Sequence, residues 1–184
     1  MTNAIPEIYG LVLSGGKSSR MGRDKSTIIV HGKPQREYLL DELRAVCEKA
    51  FVSTKTPMPG FNCINDSFDI DSPLNGVLSA FKHTPGKSWL AVAVDMPYVD
   101  RTVLQFLVAA RDPNKLATCF YNNDTGLPEP LLTIWEPAAF FPLTRFAETG
   151  HISPRDFLST NDVCLIAPPD PKVFYNMNRP EDVV

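Results

Sequence analysis

The 184-residue chain lacks the features that mark several specialised classes of protein. Its formal net charge is −3, so no excess of positive charge indicates binding to nucleic acid or to an anionic membrane surface. No stretch approaches the ~18 consecutive apolar residues of a membrane-spanning helix, and the first residues do not have the pattern of a secretory signal. We therefore expect a cytoplasmic protein with neither nucleic acid nor membrane as a partner.

The chain also lacks clustered metal-binding or nucleophilic side chains. Its cysteines stand far apart, at Cys47, Cys63, Cys119 and Cys164, whereas a zinc site or a redox pair would place two within a few residues. The three histidines have no metal-ligand spacing, and no Ser–His–Asp or Cys–His arrangement is apparent. We expect buried free thiols and a function that depends on other groups.

What the chain does contain is an alternation of strand-like and helix-like segments. Short apolar runs predict strands, and apolar residues at helical spacing or a capping residue before proline predict helices. The predicted strands are 8–13, 51–54, 62–65, 89–94, 116–120 and 131–135, and the predicted helices are 34–48, 72–83 and 102–110. This alternation indicates a mostly parallel sheet covered by helices on both faces, with ligands bound at the carboxyl ends of the strands.

Much of the chain's proline lies after residue 121. We interpret this region as loops and edge elements that pack on the same domain, because no stretch in it is composed like a linker. A single domain over residues 1–184 is therefore expected.

The loop after the first predicted strand suits a phosphate group. Ser14, Gly15 and Gly16 allow the backbone to approach a ligand closely. The same loop carries one acid, Asp24, against four cations, which are Lys17, Arg20, Arg23 and Lys25. Backbone amides and cations on one loop are what a triphosphate needs. The alternative is a solvated loop whose basic residues are incidental.

The complete loop, L-S-G-G-K-S-S-R-M-G-R-D-K from Leu13 to Lys25, resembles the signature of the MobA-like nucleotidyltransferases. The resemblance implies a Rossmann-like three-layer α/β/α nucleotidyltransferase fold with a mostly parallel sheet. It implies transfer of GMP from GTP to the phosphate of molybdopterin or molybdenum cofactor, with release of pyrophosphate. Contacts with other cofactor-biosynthesis or acceptor proteins would be transient.

Later segments extend the resemblance in the family's order. D-M-P resembles the D-x-P motif, which implies that Asp95 binds Mg²⁺. S-P-L-N-G, which ends at Gly76, resembles a G-P-L-x-G turn, and Asp66 falls on an acidic position before it. P-E-P-L resembles the family's segment that lines the acceptor side of the site. N-M-N-R-P-E-D resembles the family's closing motif. Its residues Asn176 and Asn178 either face the metal and phosphates or cap a turn.

These matches assign expected roles to individual residues. The catalytic residues are expected to be Lys25, Arg20 and Asp95. The nucleotide-binding residues are expected to be Leu13, Ser14, Gly15, Gly16, Lys17, Lys25, Ser53, Asp66, Gly76 and Asp95.

Two departures from the family pattern keep other functions open. Ser53 stands where the family usually has an asparagine that fixes the base, and Ser72 replaces the first glycine of the turn. A serine hydroxyl offers fewer hydrogen bonds than an amide, which weakens the inference of guanine. The alternatives are a cytidylyl- or uridylyltransferase acting on another phosphate acceptor, and a non-catalytic relative that binds nucleotide or cofactor.

Overall fold

The computed structural model describes residues 7–14, 25–178 and 182–183, with Lys25 described by its backbone alone. A seven-stranded sheet has the order β5-β4-β1-β6-β8-β7-β9, and a two-stranded ribbon pairs β2 with β3. The strands are β1 Ile8–Leu13, β2 Ile29–Val30, β3 Lys33–Pro34, β4 Lys49–Thr54, β5 Cys63–Asn65, β6 Ser88–Ala93, β7 Ala117–Asn122, β8 Leu127–Trp135 and β9 Cys164–Ile166. The helices are α1 Gln35–Arg44, α2 Leu74–His83, α3 Arg101–Ala109, α4 Phe140–Glu148 and α5 Pro154–Thr160.

The sheet is mostly parallel, as predicted. Strands β5, β4, β1 and β6 run parallel to one another, β9 runs parallel to β7, and β8 is antiparallel to both of its neighbours. The chain adds β4 and β5 on one side of β1 before it returns to place β6 on the other. The boundary between β1 and β6 is therefore the switch point at which folds of this kind bind ligands.

Helices cover both faces of the sheet because the central strands are apolar on both sides. Along β6, Leu90 and Val92 pack into the core with α1 and α3, whereas Trp89 and Ala91 pack into the core with α2, α4 and α5. Every residue of β1 and β6 is buried. The continuous apolar runs from which these strands were predicted are thus the signature of a sheet buried on both faces.

The predicted elements up to residue 121 are confirmed, with shifted boundaries. Helix α1 ends at Arg44 rather than near residue 48. Asp100 caps α3 by accepting a hydrogen bond from the Val103 amide at 2.9 Å. Ser72 Oγ accepts one from the Leu74 amide at 3.0 Å, so the serine in place of the family's glycine binds the first backbone amide of α2.

The interpretation of the region after residue 121 as loops and edge elements was wrong, although the strand predicted over 131–135 is confirmed as the end of β8. Strand β8 lies inside the sheet between β6 and β7, and α4 and α5 pack on its face. Pro128 and Pro130 are tolerated in β8 because they fall beyond its pairing with β6 and beside a bulge in its pairing with β7. Pro154 is the first residue of α5, where a missing amide hydrogen costs nothing, and Ser153 caps it.

Candidate active site

The edge of the sheet at the ends of β1, β4 and β6 brings several of the expected site residues together. The Ser14 amide donates to the Ser53 carbonyl at 3.2 Å, and the Val94 amide donates to the Leu13 carbonyl at 3.2 Å. Asp95 directly follows Val94 and is half-buried. The start of the phosphate loop and the expected metal ligand therefore leave the sheet from adjacent strands.

Gly76 packs against the ends of β1 and β4 at this edge. It is the third residue of α2, and a methyl group added to it would lie 2.8 Å from Leu13 Cδ2 and would overlap the Ser53 hydroxyl. A side chain at this position would push the helix away from the strand ends. The glycine thus allows α2 to begin directly over Leu13 and Ser53.

Ser53 is buried and turned toward Asp66 rather than toward solvent. Its Oγ donates to Asp66 Oδ1 at 3.2 Å, and the Asp66 amide donates to the Thr54 carbonyl at 3.1 Å. Asp66 is half-buried at the rim of a cavity of about 460 Å³. The cavity is lined by Lys55, Asp66, Phe68, Asp69, Ile70, Asp71 and Asn75.

The remaining expected residues of the phosphate loop, Gly15, Gly16, Lys17 and Arg20, lie outside the described residues. The backbone of Lys25 begins a short 3-10 turn over Lys25–Thr27. The following residues return to the site, because Ile28 and Val30 pack against Met177. The Met177 amide donates to the Asp95 carbonyl at 2.8 Å.

That last contact places the closing N-x-N motif beside Asp95. Asn176 and Asn178 flank Met177, which is fully buried. The Asn176 side chain donates to the Phe174 carbonyl at 2.9 Å, which fits the turn-capping alternative for this residue. The Asn178 backbone amide donates to Asp182 Oδ2 at 2.8 Å. The motif therefore supports Asp95 through the backbone.

Glu129 and Arg155 also belong to this edge, although the sequence did not single them out. Glu129 is buried in β8, and burial is the main cause that raises the pKa of its carboxyl group, to which the charge of Asp95 adds. The Leu131 amide and Arg155 act in the opposite direction, with the amide at 2.9 Å and Arg155 Nη2 at 3.9 Å from the carboxylate. Arg155 Nε also donates to the Pro128 carbonyl at 3.3 Å.

The sequence signal for Glu129 was the P-E-P-L segment, which points to the acceptor side without saying which residue faces the site, and Arg155 lies outside every segment that the sequence singled out. Within the described residues, no group of three or more His, Cys, Asp or Glu side chains is arranged to hold a metal ion. None of the helices in the described ranges has the length and apolar character to cross a membrane. The four cysteines are free, with Cys119 buried as expected and the other three half-buried.

A mostly parallel sheet with its switch point between β1 and β6, and with a glycine-rich segment and an aspartate leaving those two strands, defines a Rossmann-like nucleotide-binding α/β protein. The chain belongs to the MobA-like NTP transferase family, whose domain model matches residues 10–163.

The names of similar proteins are consistent with membership of this family. A molybdenum cofactor biosynthesis bifunctional protein of Synechocystis is 36% identical over 181 residues, which cover 95% of this chain and 52% of that protein. The chain thus spans about half the length of that relative. A probable molybdenum cofactor guanylyltransferase of Trichormus variabilis is 29% identical over 185 residues, which cover 96% of this chain and 88% of that protein.

A solved structure shows the same fold. Molybdopterin-guanine dinucleotide biosynthesis protein A from Archaeoglobus fulgidus superimposes with a TM-score of 0.77 at 22% identity, over 95% of this chain and 94% of that one. The predicted fold class is therefore confirmed.

Proposed function

We propose that this chain transfers GMP from GTP to the terminal phosphate of molybdopterin or molybdenum cofactor and releases pyrophosphate. The observation that carries the proposal is the departure of the phosphate-loop segment and Asp95 from adjacent strands at the switch point. Membership of the MobA-like family supports nucleotidyl transfer. The relatives named as guanylyltransferases support guanine as the base.

Guanine is also the base that suits Asp66. An ionised carboxylate only accepts hydrogen bonds, and the Watson–Crick edge of guanine carries two adjacent donors, N1–H and N2–H₂. The same edge of cytosine has one donor beside two acceptors, which a carboxylate would repel. On this proposal Asp66 contacts guanine from the rim of the 460 Å³ cavity, and Ser53 orients the carboxylate instead of contacting the base.

The residues around Asp95 fit a bound Mg²⁺. This ion prefers oxygen ligands and is commonly held by one or two carboxylates together with phosphate oxygens and water. Asp95 is half-buried at the strand end, and its negative charge adds to the rise in the pKa of the Glu129 carboxyl group. Asp95 would be the ligand, and the bound ion would offset negative charge on the α-phosphate and on the departing pyrophosphate.

The protein's own part in the reaction is position and charge. The acceptor phosphate is already an anionic nucleophile, so no general base is needed. Lys25 and the amides of the loop would neutralise the α-phosphate as the bond to pyrophosphate breaks, and Arg20 and Lys17 would hold the β- and γ-phosphates. Arg155 contacts Glu129 and the Pro128 carbonyl, and on this proposal it would bind the phosphate of the acceptor.

The test is pyrophosphate release with each of the four NTPs in the presence of Mg²⁺, with and without molybdopterin. We expect pyrophosphate release with GTP and with none of the other three NTPs, and we expect this release only when the acceptor is present. Release with CTP or UTP instead would replace the proposal with a related transferase, and release with none would favour a binding relative. Asp95→Asn serves as the control, and we expect it to lower turnover at least about a hundredfold while the protein remains folded.

A further inference from the structure

Arg36 is a buried cation in an unfavourable place. It is the second residue of α1, where the positive end of the helix dipole opposes a cation, and it is 9% exposed. No carboxylate among the described residues lies within salt-bridge distance of it. Among the described residues the guanidinium contacts neutral groups, and the segments that carry those groups indicate what this arginine does.

The contacts of Arg36 point toward the phosphate loop. Arg36 Nη1 donates to Ser26 Oγ at 2.9 Å and to Met58 Sδ at 3.1 Å, and the guanidinium lies 4.5 Å from the centre of the Phe61 ring. Its Nε has no hydrogen-bond partner in the part of the chain that the structure describes. Ser26 is fully buried and directly follows Lys25. The guanidinium thus holds the residue next to the expected catalytic lysine.

Gln35, the first residue of α1, makes a similar contact with the segment that follows β6. It is fully buried, and its Nε2 donates to the Met96 carbonyl at 3.2 Å. Met96 directly follows Asp95. The Gln35 amide also donates to the Ile28 carbonyl at 2.8 Å, which fixes the helix start to the segment after Ser26. Two consecutive buried polar residues therefore contact the immediate neighbours of Lys25 and of Asp95.

We propose that Gln35 and Arg36 are positioning residues that set the separation between Lys25 and Asp95, through Ser26 and Met96. The inference rests on the proposed function, because that function makes Lys25 and Asp95 the groups that act at the α-phosphate. Because Gln35 and Arg36 are consecutive residues at the start of one helix, the helix backbone links the two segments over a short distance. A displacement of about 1 Å in such a site can lower the rate about a hundredfold.

The first experiment compares two variants of nearly unchanged side-chain length with a control on the same helix. We expect Arg36→Met to lower kcat for pyrophosphate release about tenfold with KM for GTP within about twofold, because position rather than binding is lost. Gln35→Met should raise the Mg²⁺ concentration needed for half-maximal rate. Arg44→Met, which removes an exposed arginine that pairs with Asp41, should change neither quantity.

A purely structural role predicts a different result. It would lower the melting temperature and the folded fraction of both variants but leave kcat per folded molecule and the Mg²⁺ requirement unchanged. That outcome overturns the proposal.

A double-mutant cycle tests whether Arg36 acts through Ser26. If it does, Ser26→Ala combined with Arg36→Met lowers kcat no further than the more severe single variant. Independent, multiplicative losses would show that Arg36 does not position Lys25 by this contact.

Amide hydrogen exchange separates this inference from the proposed function. Arg36→Met should speed exchange at Lys25–Thr27 and not at residues 95–96, whereas Gln35→Met should do the reverse. A wild-type protein that releases no pyrophosphate would remove the proposed function, and the exchange rates would still decide whether the helix start holds both segments. Unchanged exchange in both variants overturns the positioning role regardless of activity.

Discussion

Ser53 donates its hydroxyl hydrogen to Asp66 across the ends of β4 and β5, with Oγ and Oδ1 3.2 Å apart. The hydroxyl cannot easily turn elsewhere, because Gly76 lies against it and the side chain is 3% exposed. The serine that replaces the family's asparagine therefore has a definite partner in this chain. It orients the carboxylate that we expect to contact the base.

Replacement of Ser53 by alanine tests this orientation. We expect Ser53→Ala to raise KM for GTP about fivefold, as the loss of one hydrogen bond worth ~1 kcal/mol would, with little change in kcat. Steady-state pyrophosphate release measures both constants. Thr54→Ala is the matched control, since the adjacent Thr54 hydroxyl donates within its own loop to the Thr56 carbonyl. An unchanged KM for GTP in Ser53→Ala would show that Asp66 does not depend on the serine.

Arg155 should contribute to binding of the acceptor and not to binding of the nucleotide. We expect Arg155→Met to raise KM for molybdopterin by roughly tenfold to a hundredfold, because a charge-assisted hydrogen bond is worth roughly 1.5–3 kcal/mol, and to leave KM for GTP unchanged. Titration of each substrate at saturation of the other gives the two constants. Arg145→Met is the control, since that arginine lies over Phe141 on α4. Equal effects on both substrates would contradict an acceptor role.

An ion pair between Arg111 and Glu136 lies at the edge of the sheet away from the site and is expected to stabilise the fold. Arg111 makes two hydrogen bonds with the buried carboxylate of Glu136, at 2.6 and 2.8 Å, and a third with Ser88 Oγ at 2.7 Å. We expect Arg111→Met to lower the free energy of unfolding by about 3–5 kcal/mol, because it leaves Glu136 buried without its partner.

Urea unfolding measures the loss in Arg111→Met, and the double variant Arg111→Met/Glu136→Gln should recover part of it because no buried charge remains. Since Ser88 begins β6 and Asp95 follows the end of it, kcat of the folded single variant should equal that of the wild type. A single variant as stable as the wild type would show that this ion pair contributes little.

Cys119 should resist alkylation over a wide range of pH. Burial raises the pKa of its thiol to about 12, so only about one molecule in ten thousand carries the reactive thiolate at pH 8 and about one in a hundred at pH 10. Iodoacetamide labelling followed by peptide mass spectrometry should show Cys119 unmodified until urea unfolds the protein. Labelling of folded Cys119 as fast as that of half-buried Cys164 would contradict this expectation.

The sequence predicted the front half of the fold well because its signals there are local. The strand predicted over 89–94 is Ser88–Ala93, since a short continuous apolar run is typical of a strand buried on both faces. The same kind of local signal was available later and was missed. The Ser-Pro pair Ser153-Pro154 begins α5, and the similar pair Ser72-Pro73 directly precedes α2, but the many prolines around Pro154 favoured an interpretation as loops.

The site divides in the same way. The positions of Ser14, Asp66 and Asp95 at one edge of the sheet could be predicted because each closely follows a strand, and the ends of parallel strands meet at one edge. Glu129, Arg155, Gln35 and Arg36 could not, since their importance depends on side-chain contacts between segments far apart in sequence. The contact of Arg36 with Ser26 and Met58, for example, joins three segments that no local pattern relates. The single domain over 1–184 and the roles of all the expected catalytic and nucleotide-binding residues stay predictions.

The antiparallel direction of β8 has a consequence for how acceptor choice can change. Because β8 runs against its neighbours, its beginning lies at the same edge as the ends of β6 and β7, and the exposed turn between Asn122 and Leu127 lies there too. A longer or shorter turn would reshape the rim beside Glu129 without moving any strand. Changes in the length or sequence of this hairpin would therefore alter which acceptor binds and leave the strands that carry the nucleotide site in place.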